Sequence, residues 1–418
     1  MAIIMKEIGV QASLQDSANP QDLGKLPNPE LEFPQIFYRR HTVLWGLFAI
    51  LLLAYTVLSQ PIDPDTTKGG ILASVLVLMF CCAVHLPDSG LMSRPHPVFW
   101  RLLQGAALCY LAFLVFLAFQ SLQDARKVFK WFDENLGKPL PERHYATECD
   151  LYTPDHPESS FYNIKSCIFD VYMICHLMGW WFKMIIVRDV KLCWFLSIFF
   201  EFLEITLRHQ LPNFHECWWD HVILDILIAN GGGIYLGYLT CSFCEMKQYH
   251  WGMGKDTRQA NGRFSALSRS ATQLTPFSWK VYKWEVFSSS KNFISTLWYV
   301  VFVNLVDLSN FYMKFILWVP ASHWTLFIRV NFWACLAVVS TGEYYDFIRS
   351  GFKGKLGTFC WLSHFILAIE WLITLKFANG MFVQEMPMWI QMTWSGILVA
   401  VLTEAIYLFY KDQVKSRN

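Results

Sequence analysis

The stretch EFLEITLRHQLPNFHECWWDHVILDILIANGGG, residues 201–233, gathers Glu201, Glu204, His209, His215, Glu216, Asp220, His221 and Asp225 in an otherwise apolar part of the chain. Acids in such a setting need a cation, an arginine or a proton as partner. Glu201 and Glu204 are spaced i, i+3, so on a helix both carboxylates project to one face. Arg208 lies four residues after Glu204, the favourable order for a helical ion pair, and this offers a purely structural reading. LPNFHE then breaks the helix at Pro212 and supplies Asn213 and Glu216, with Asp220 at i+4 from Glu216. A tight turn between two helices would bring Glu201, Glu204, Glu216 and Asp220 together, with Asn213 adding a neutral oxygen. Three or four carboxylates and an amide suit calcium, which wants roughly six to eight oxygen ligands. Zinc is poorly served, because Cys217 is alone and the histidines lack a zinc spacing.

His176, in FDVYMICHLMGWWFK, is a second titratable group inside an apolar run. An ionisable residue within a membrane span is functional by default. Asp225 is placed to accept one ring N–H and fix the tautomer. The imidazole then takes a proton from an alcohol near neutral pH. ANGGG at 229–233 has two readings: close approach by a lipid headgroup, or close packing of helices.

These residues must be held by membrane helices. The chain has 418 residues, 54% hydrophobic and only 16% charged, with mean hydropathy +0.31. A net charge of +1 and the lack of a basic stripe exclude a nucleic-acid partner. Ten windows are long and apolar enough to expect spans: 43–59, 71–86, 99–120, 167–187, 192–210, 220–243, 293–318, 324–345, 358–376 and 388–410. The expected fold is therefore all-α and polytopic, one transmembrane catalytic domain over 43–410. With the N-terminus cytosolic, the cytosolic segments hold 21 Lys and Arg against 7 on the other side. That places 1–42, the loop 244–292 and the tail 411–418 in the cytosol, and the proline-rich excursion 121–166 and the turn 211–219 in the lumen. Residues 1–38 are polar and proline-punctuated, so no cleavable signal peptide is expected. Most of the nineteen tryptophans sit at span ends, where they anchor at the interface. The twelve cysteines read mainly as packing residues. Cys149 and Cys217 fall in loops on one side, which leaves a disulfide between them open.

The motifs RPHPVFWR, CHLMGWWFK, FEFLE, LPNFHECWWDHVILDILIANGGGI, YHW and LTPFSW resemble the animal phosphatidylserine synthases that work by base exchange. The resemblance runs over residues 36–410. LGKPLPER and NFYMKFILWVP are similar to the second animal isozyme type, ILDILIANGGGI to the first. One departure is Gly342 and Glu343, where an arginine is expected before Tyr344 and Tyr345. The resemblance implies calcium-dependent exchange of L-serine for the headgroup of phosphatidylethanolamine or phosphatidylcholine. It implies a multi-pass protein of the endoplasmic reticulum and mitochondria-associated membranes, and leaves a homodimer open. On this reading His176 is the general base and Asp225 its orienter. Glu201, Glu204, Glu216, Asp220 and Asn213 hold Ca2+, and Asn230 and Arg208 bind substrate. Arg94 and Arg269 fall in segments resembling those that govern product inhibition. A phospho-histidine intermediate stays open.

Two other classes compete. CDP-alcohol phosphotransferases need a D-x-x-D-G…G-x-x-x-D-x-x-x-D run, which the sequence lacks. A calcium-permeable channel or cation transporter would need a continuous polar path, yet the last four spans carry only scattered acids such as Asp307, Glu343, Glu370 and Glu404.

Overall fold

A computed structural model describes residues 75–80, 82–83, 86, 97–140, 149–154, 157–168, 171–211, 214–246, 282–378, 381–383 and 385–417. Among them are helices and no strand. The helices are α1 (Pro97–Ala118), α2 (Leu122–Phe132), α3 (Tyr162–Ile168), α4 (Val171–Val187) and α5 (Val190–Leu207). A π-helical segment (Asp220–Asn230) then runs directly into α6 (Gly231–Met246), followed by α7 (Ser290–Ile316), α8 (Trp324–Arg349), α9 (Thr358–Phe377) and α10 (Met388–Arg417).

Six of these are long and apolar enough to cross a membrane: Val98–Ala118, Asp220–Phe243, Ser290–Ile316, Trp324–Arg349, Thr358–Phe377 and Met388–Arg417. Ten were expected. Window 43–59 lies outside the described residues, as do 71–74, 81, 84 and 85 of the window 71–86. Helix α4 is apolar but only 17 residues long. Helix α5 reaches 18 residues but carries Lys191, Glu201 and Glu204. The site's own charges thus dilute its hydropathy.

The chain divides into two compact units, residues 1–106 with 247–278 and residues 107–246 with 279–418. In the first, Arg101 Nη1 donates to the Ala83 carbonyl at 2.8 Å. The second carries the acidic stretch. Its helices start where the local chemistry dictates. Asp189 caps α5 by accepting from the Leu192 amide at 3.0 Å, and Ser289 caps α7 by accepting from Asn292 at 3.2 Å. Arg188 takes φ +55°, which lets the chain reverse between α4 and α5.

Two segments expected to be plain loops contribute structure. The excursion 121–166 contains α2 and most of α3. Arg126 on α2 lies 3.3 Å over the Trp318 ring and donates to the Ile316 carbonyl at 2.8 and 3.0 Å. At the end of the basic loop, Tyr282 and Trp284 are buried. Trp284 stacks on Tyr299 at 4.6 Å and donates to the Val187 carbonyl. Glu343, at the noted departure, accepts from the Cys360 amide at 2.8 Å in the first turn of α9. A carboxylate there suits the positive end of the helix.

The contact that positions the site is α4 against α6. A Cβ on Gly233 would come within 2.7 Å of Trp180 Cβ, and one on Gly237 within 2.8 Å of Met184 Cγ. Both distances are shorter than packed carbons allow. The two glycines form a G-x-x-x-G, the spacing that lets membrane helices approach closely. For Gly233, helix packing is therefore the reading of ANGGG that holds. Gly233→Ala should lower thermal stability by about 1–3 kcal/mol. Gly232→Ala, whose nearest neighbour would be Leu177 Cδ1 at 3.5 Å, should be nearly neutral. Comparing the two melting transitions in detergent checks this; equal effects would place the contact elsewhere.

Candidate functional site

The acids meet because of how the segment after the turn is wound. Over Asp220–Asn230 the backbone bonds are i→i+5 rather than i→i+4. Residues five apart then lie nearer to one face than they would on an α-helix. Asp220, Asp225 and Asn230 recur at that interval. On an α-helix they would have diverged around the cylinder. His221, Asp225 and Asn230 are all buried on this segment.

His176 Nδ1 lies 2.8 Å from Asp225 Oδ1, joining α4 to the π-helical segment. The Asp225 side chain is 11% exposed and that of His176 33%, so the imidazole stays accessible while its orienter is covered. With Nδ1–H donated to the carboxylate, Nε2 is the ring atom left to accept a proton. This pairing is the one expected from the sequence.

Glu201 and Glu204 are buried on α5, as the i, i+3 spacing requires. Asn230 Nδ2 donates to Glu201 Oε1 at 3.2 Å and to Ser197 Oγ at 3.0 Å. The Asn230 Oδ1 atom is buried and has no hydrogen-bond partner among the described residues. His221 Nδ1 is 3.0 Å from Glu201, 3.7 Å from Glu204 and 3.9 Å from Glu216. No spacing in the sequence marks His221 as a ligand; its only signal is a histidine next to Asp220 at the start of an apolar run. Two sets of ligand atoms fall within 4.8 Å of one another: Glu201, Glu204 and His221, and Glu216, His221 and Asp225. Asp220 is half-buried and interacts electrostatically with Asp225, His221, His176 and Glu201.

Arg208 is exposed at the C-cap of α5. Among the described residues no ion pair joins it to Glu204, so the structural reading of that pair falls away. Asn213, Arg94 and Arg269 lie outside the described residues.

Glu216 arrives on the loop before the π-helical segment, which a disulfide between Cys149 and Cys217 ties down. Trp219 Nε1 also donates to the Cys149 carbonyl at 3.1 Å. Burial raises the Glu216 carboxyl well above the usual carboxylate range, and Asp225, Asp220 and Glu201 push it further. The positive charge nearest His176 on its own helix is Lys183, paired with Asp307 of α7 at 2.8 Å.

The arrangement has two halves. One is a histidine oriented for proton transfer. The other is a buried set of acids whose charge a single imidazole does not balance, with a spare amide oxygen beside it.

The family model described as "Phosphatidyl serine synthase" matches residues 95–378. The chain is 38% identical to "CDP-diacylglycerol--serine O-phosphatidyltransferase 1" of Arabidopsis thaliana, over 91% of each chain. It is 36% identical to "CDP-diacylglycerol--serine O-phosphatidyltransferase 2" of Oryza sativa subsp. japonica, over 90% of each. It is likewise 36% identical to "Phosphatidylserine synthase 2" of Homo sapiens, over 91% of this chain and 78% of that one. With the acids and His176 inside the matched residues, the chain is an enzyme of the phosphatidylserine synthase family.

Proposed function

We propose that the enzyme makes phosphatidylserine by calcium-dependent base exchange, replacing the ethanolamine or choline of a phospholipid with L-serine. The observation that carries the reading is the His176–Asp225 pair beside the acidic cluster. Nε2 of His176 takes the proton from the serine hydroxyl as its oxygen attacks the phosphorus. The bond from phosphorus to the ethanolamine or choline oxygen breaks, and that oxygen leaves with the proton from His176. Asp225 keeps the imidazole in one tautomer and steadies the imidazolium between the two transfers.

Glu201, Glu204, Glu216 and Asp220 would hold Ca2+. The donor chemistry supports the fit: several hard carboxylate oxygens, and the unpartnered Asn230 Oδ1 beside Glu201. When bound, the ion supplies charge stabilisation for the phosphoryl oxygens. Asn230 and Arg208 remain the proposed substrate contacts, and Arg94 and Arg269 the proposed sites of product inhibition.

The disulfide beside Glu216 favours an oxidising compartment for this end of the site. Together with the charge bias, it supports a lumenal site in the endoplasmic reticulum membrane. The channel reading is dropped in favour of the enzyme family. Glu370, the most buried acid of the last four helices, is paired with Arg329 at 2.8 Å and accepts hydrogen bonds from the Tyr110 and Ser309 hydroxyls.

A second donor is raised by the plant relatives, whose names specify CDP-diacylglycerol. The test is purified protein with labelled serine, supplied separately with phosphatidylethanolamine, phosphatidylcholine or CDP-diacylglycerol, with and without a calcium chelator. Incorporation from either phospholipid, abolished by the chelator, is the expected result. Incorporation from CDP-diacylglycerol alone would replace base exchange with the second reading.

A pH dependence follows from Glu216. Its folded-state pKa is raised, so between the unfolded and folded values the folded chain binds more protons than the unfolded one. Stability of the cation-free protein therefore falls as pH rises through that window. A cation that replaces the proton removes this loss. The rise in melting temperature on adding Ca2+ should grow as pH rises above the ordinary carboxylate range. A rise independent of pH would mean that Glu216 does not meet the ion.

A further inference from the structure

We propose that His221 is itself a ligand of the bound cation, making the centre a mixed nitrogen–oxygen site that also takes Mn2+. The inference rests on the metal reading above and adds a residue that neither the spacing nor the comparisons assign. The His221 side chain is only 7% exposed, and Nδ1 faces three carboxylates at once, at 3.0, 3.7 and 3.9 Å. A histidine present only to brace Glu201 would need the first of these. The other two are too long for hydrogen bonds. They match the separation of about 3–4 Å between donor atoms that share one ion at ordinary ligand distances. His221 is also the one residue common to both sets of clustered ligand atoms. The unpartnered Asn230 oxygen, fully buried beside Glu201, independently points to something that accepts a lone pair.

An imidazole nitrogen changes which ions such a cage prefers. Calcium draws little from a nitrogen donor, whereas first-row divalent ions accept imidazole and carboxylate together. His221 therefore adds affinity for Mn2+ that it does not add for Ca2+.

The experiment uses the full-length protein in detergent. Pulsed electron paramagnetic resonance of bound Mn2+ should show coupling to a directly coordinated nitrogen in the unsubstituted protein. His221→Gln should remove that coupling and weaken Mn2+ on the order of tenfold, while Ca2+, followed by calorimetry, shifts less than about threefold. Bound Mn2+ without nitrogen coupling would overturn the proposal without relying on any variant. So would equal losses for both ions, which would make His221 a brace for Glu201. Binding of neither ion by the unsubstituted protein would instead overturn the metal reading beneath it.

Discussion

Replacing His176 with alanine should lower serine incorporation by about two to four orders of magnitude, the span that one positioned general base contributes. The protein should still fold, because the His176 side chain is one-third exposed. A structural role predicts something different: loss of thermal stability together with activity. The calcium-induced rise in melting temperature separates the two, since His176 belongs to neither set of clustered ligand atoms. Asp225→Asn should also be slow, because an amide no longer dictates which ring nitrogen carries the proton. Activity of His176→Ala above a tenth of the unsubstituted enzyme, at matched expression, would remove it from the chemistry.

Glu204→Gln and Glu216→Gln should each raise the calcium needed for half-maximal activity by about tenfold or more, or abolish turnover. Each change deletes one charged oxygen from a cluster in which Glu204 and Glu216 both face His221, at 3.7 and 3.9 Å. The cation-free proteins should respond in the opposite sense. Removing a carboxylate from a buried group of like charges relieves repulsion, so their melting temperatures without calcium should rise. A binding defect paired with a more stable empty protein is hard to obtain from misfolding. Unchanged calcium titrations in both variants would leave the acids without a cation role.

Much of the site was legible from residue types alone. A carboxylate or imidazole inside an apolar run carries a desolvation cost that only a partner offsets, so Glu201, Glu204, Asp225 and His176 announced themselves by where they stood. The pairing of His176 with Asp225 was expected because a carboxylate that accepts one ring N–H fixes the tautomer of the imidazole. The fold's helices were legible for a related reason. Apolar runs such as 358–376 can satisfy their backbone in lipid only as helices, and the observed Thr358–Phe377 starts at the same residue and ends one residue later.

Other features depended on what packs against what. Pattern reading assumed the α period for Asp220–Asn230, and only the fold reveals the wider winding that aligns Asp220, Asp225 and Asn230. Backbone winding is decided by the neighbours a segment must meet, here α4 and α5, and composition does not encode it. His221 has the same residue type whether it faces lipid or three carboxylates. Cys149 and Cys217 are 68 residues apart, and nothing local says that their Cα atoms will lie 5.3 Å from each other. Arg208 stood at a sound helical spacing from Glu204, but the helix ends just before it and leaves it exposed. The sequence by itself determined which groups had to be partnered in an apolar setting, because that cost belongs to each residue alone. Which groups meet was decided by the tertiary structure, because distance and winding belong to the whole packed bundle.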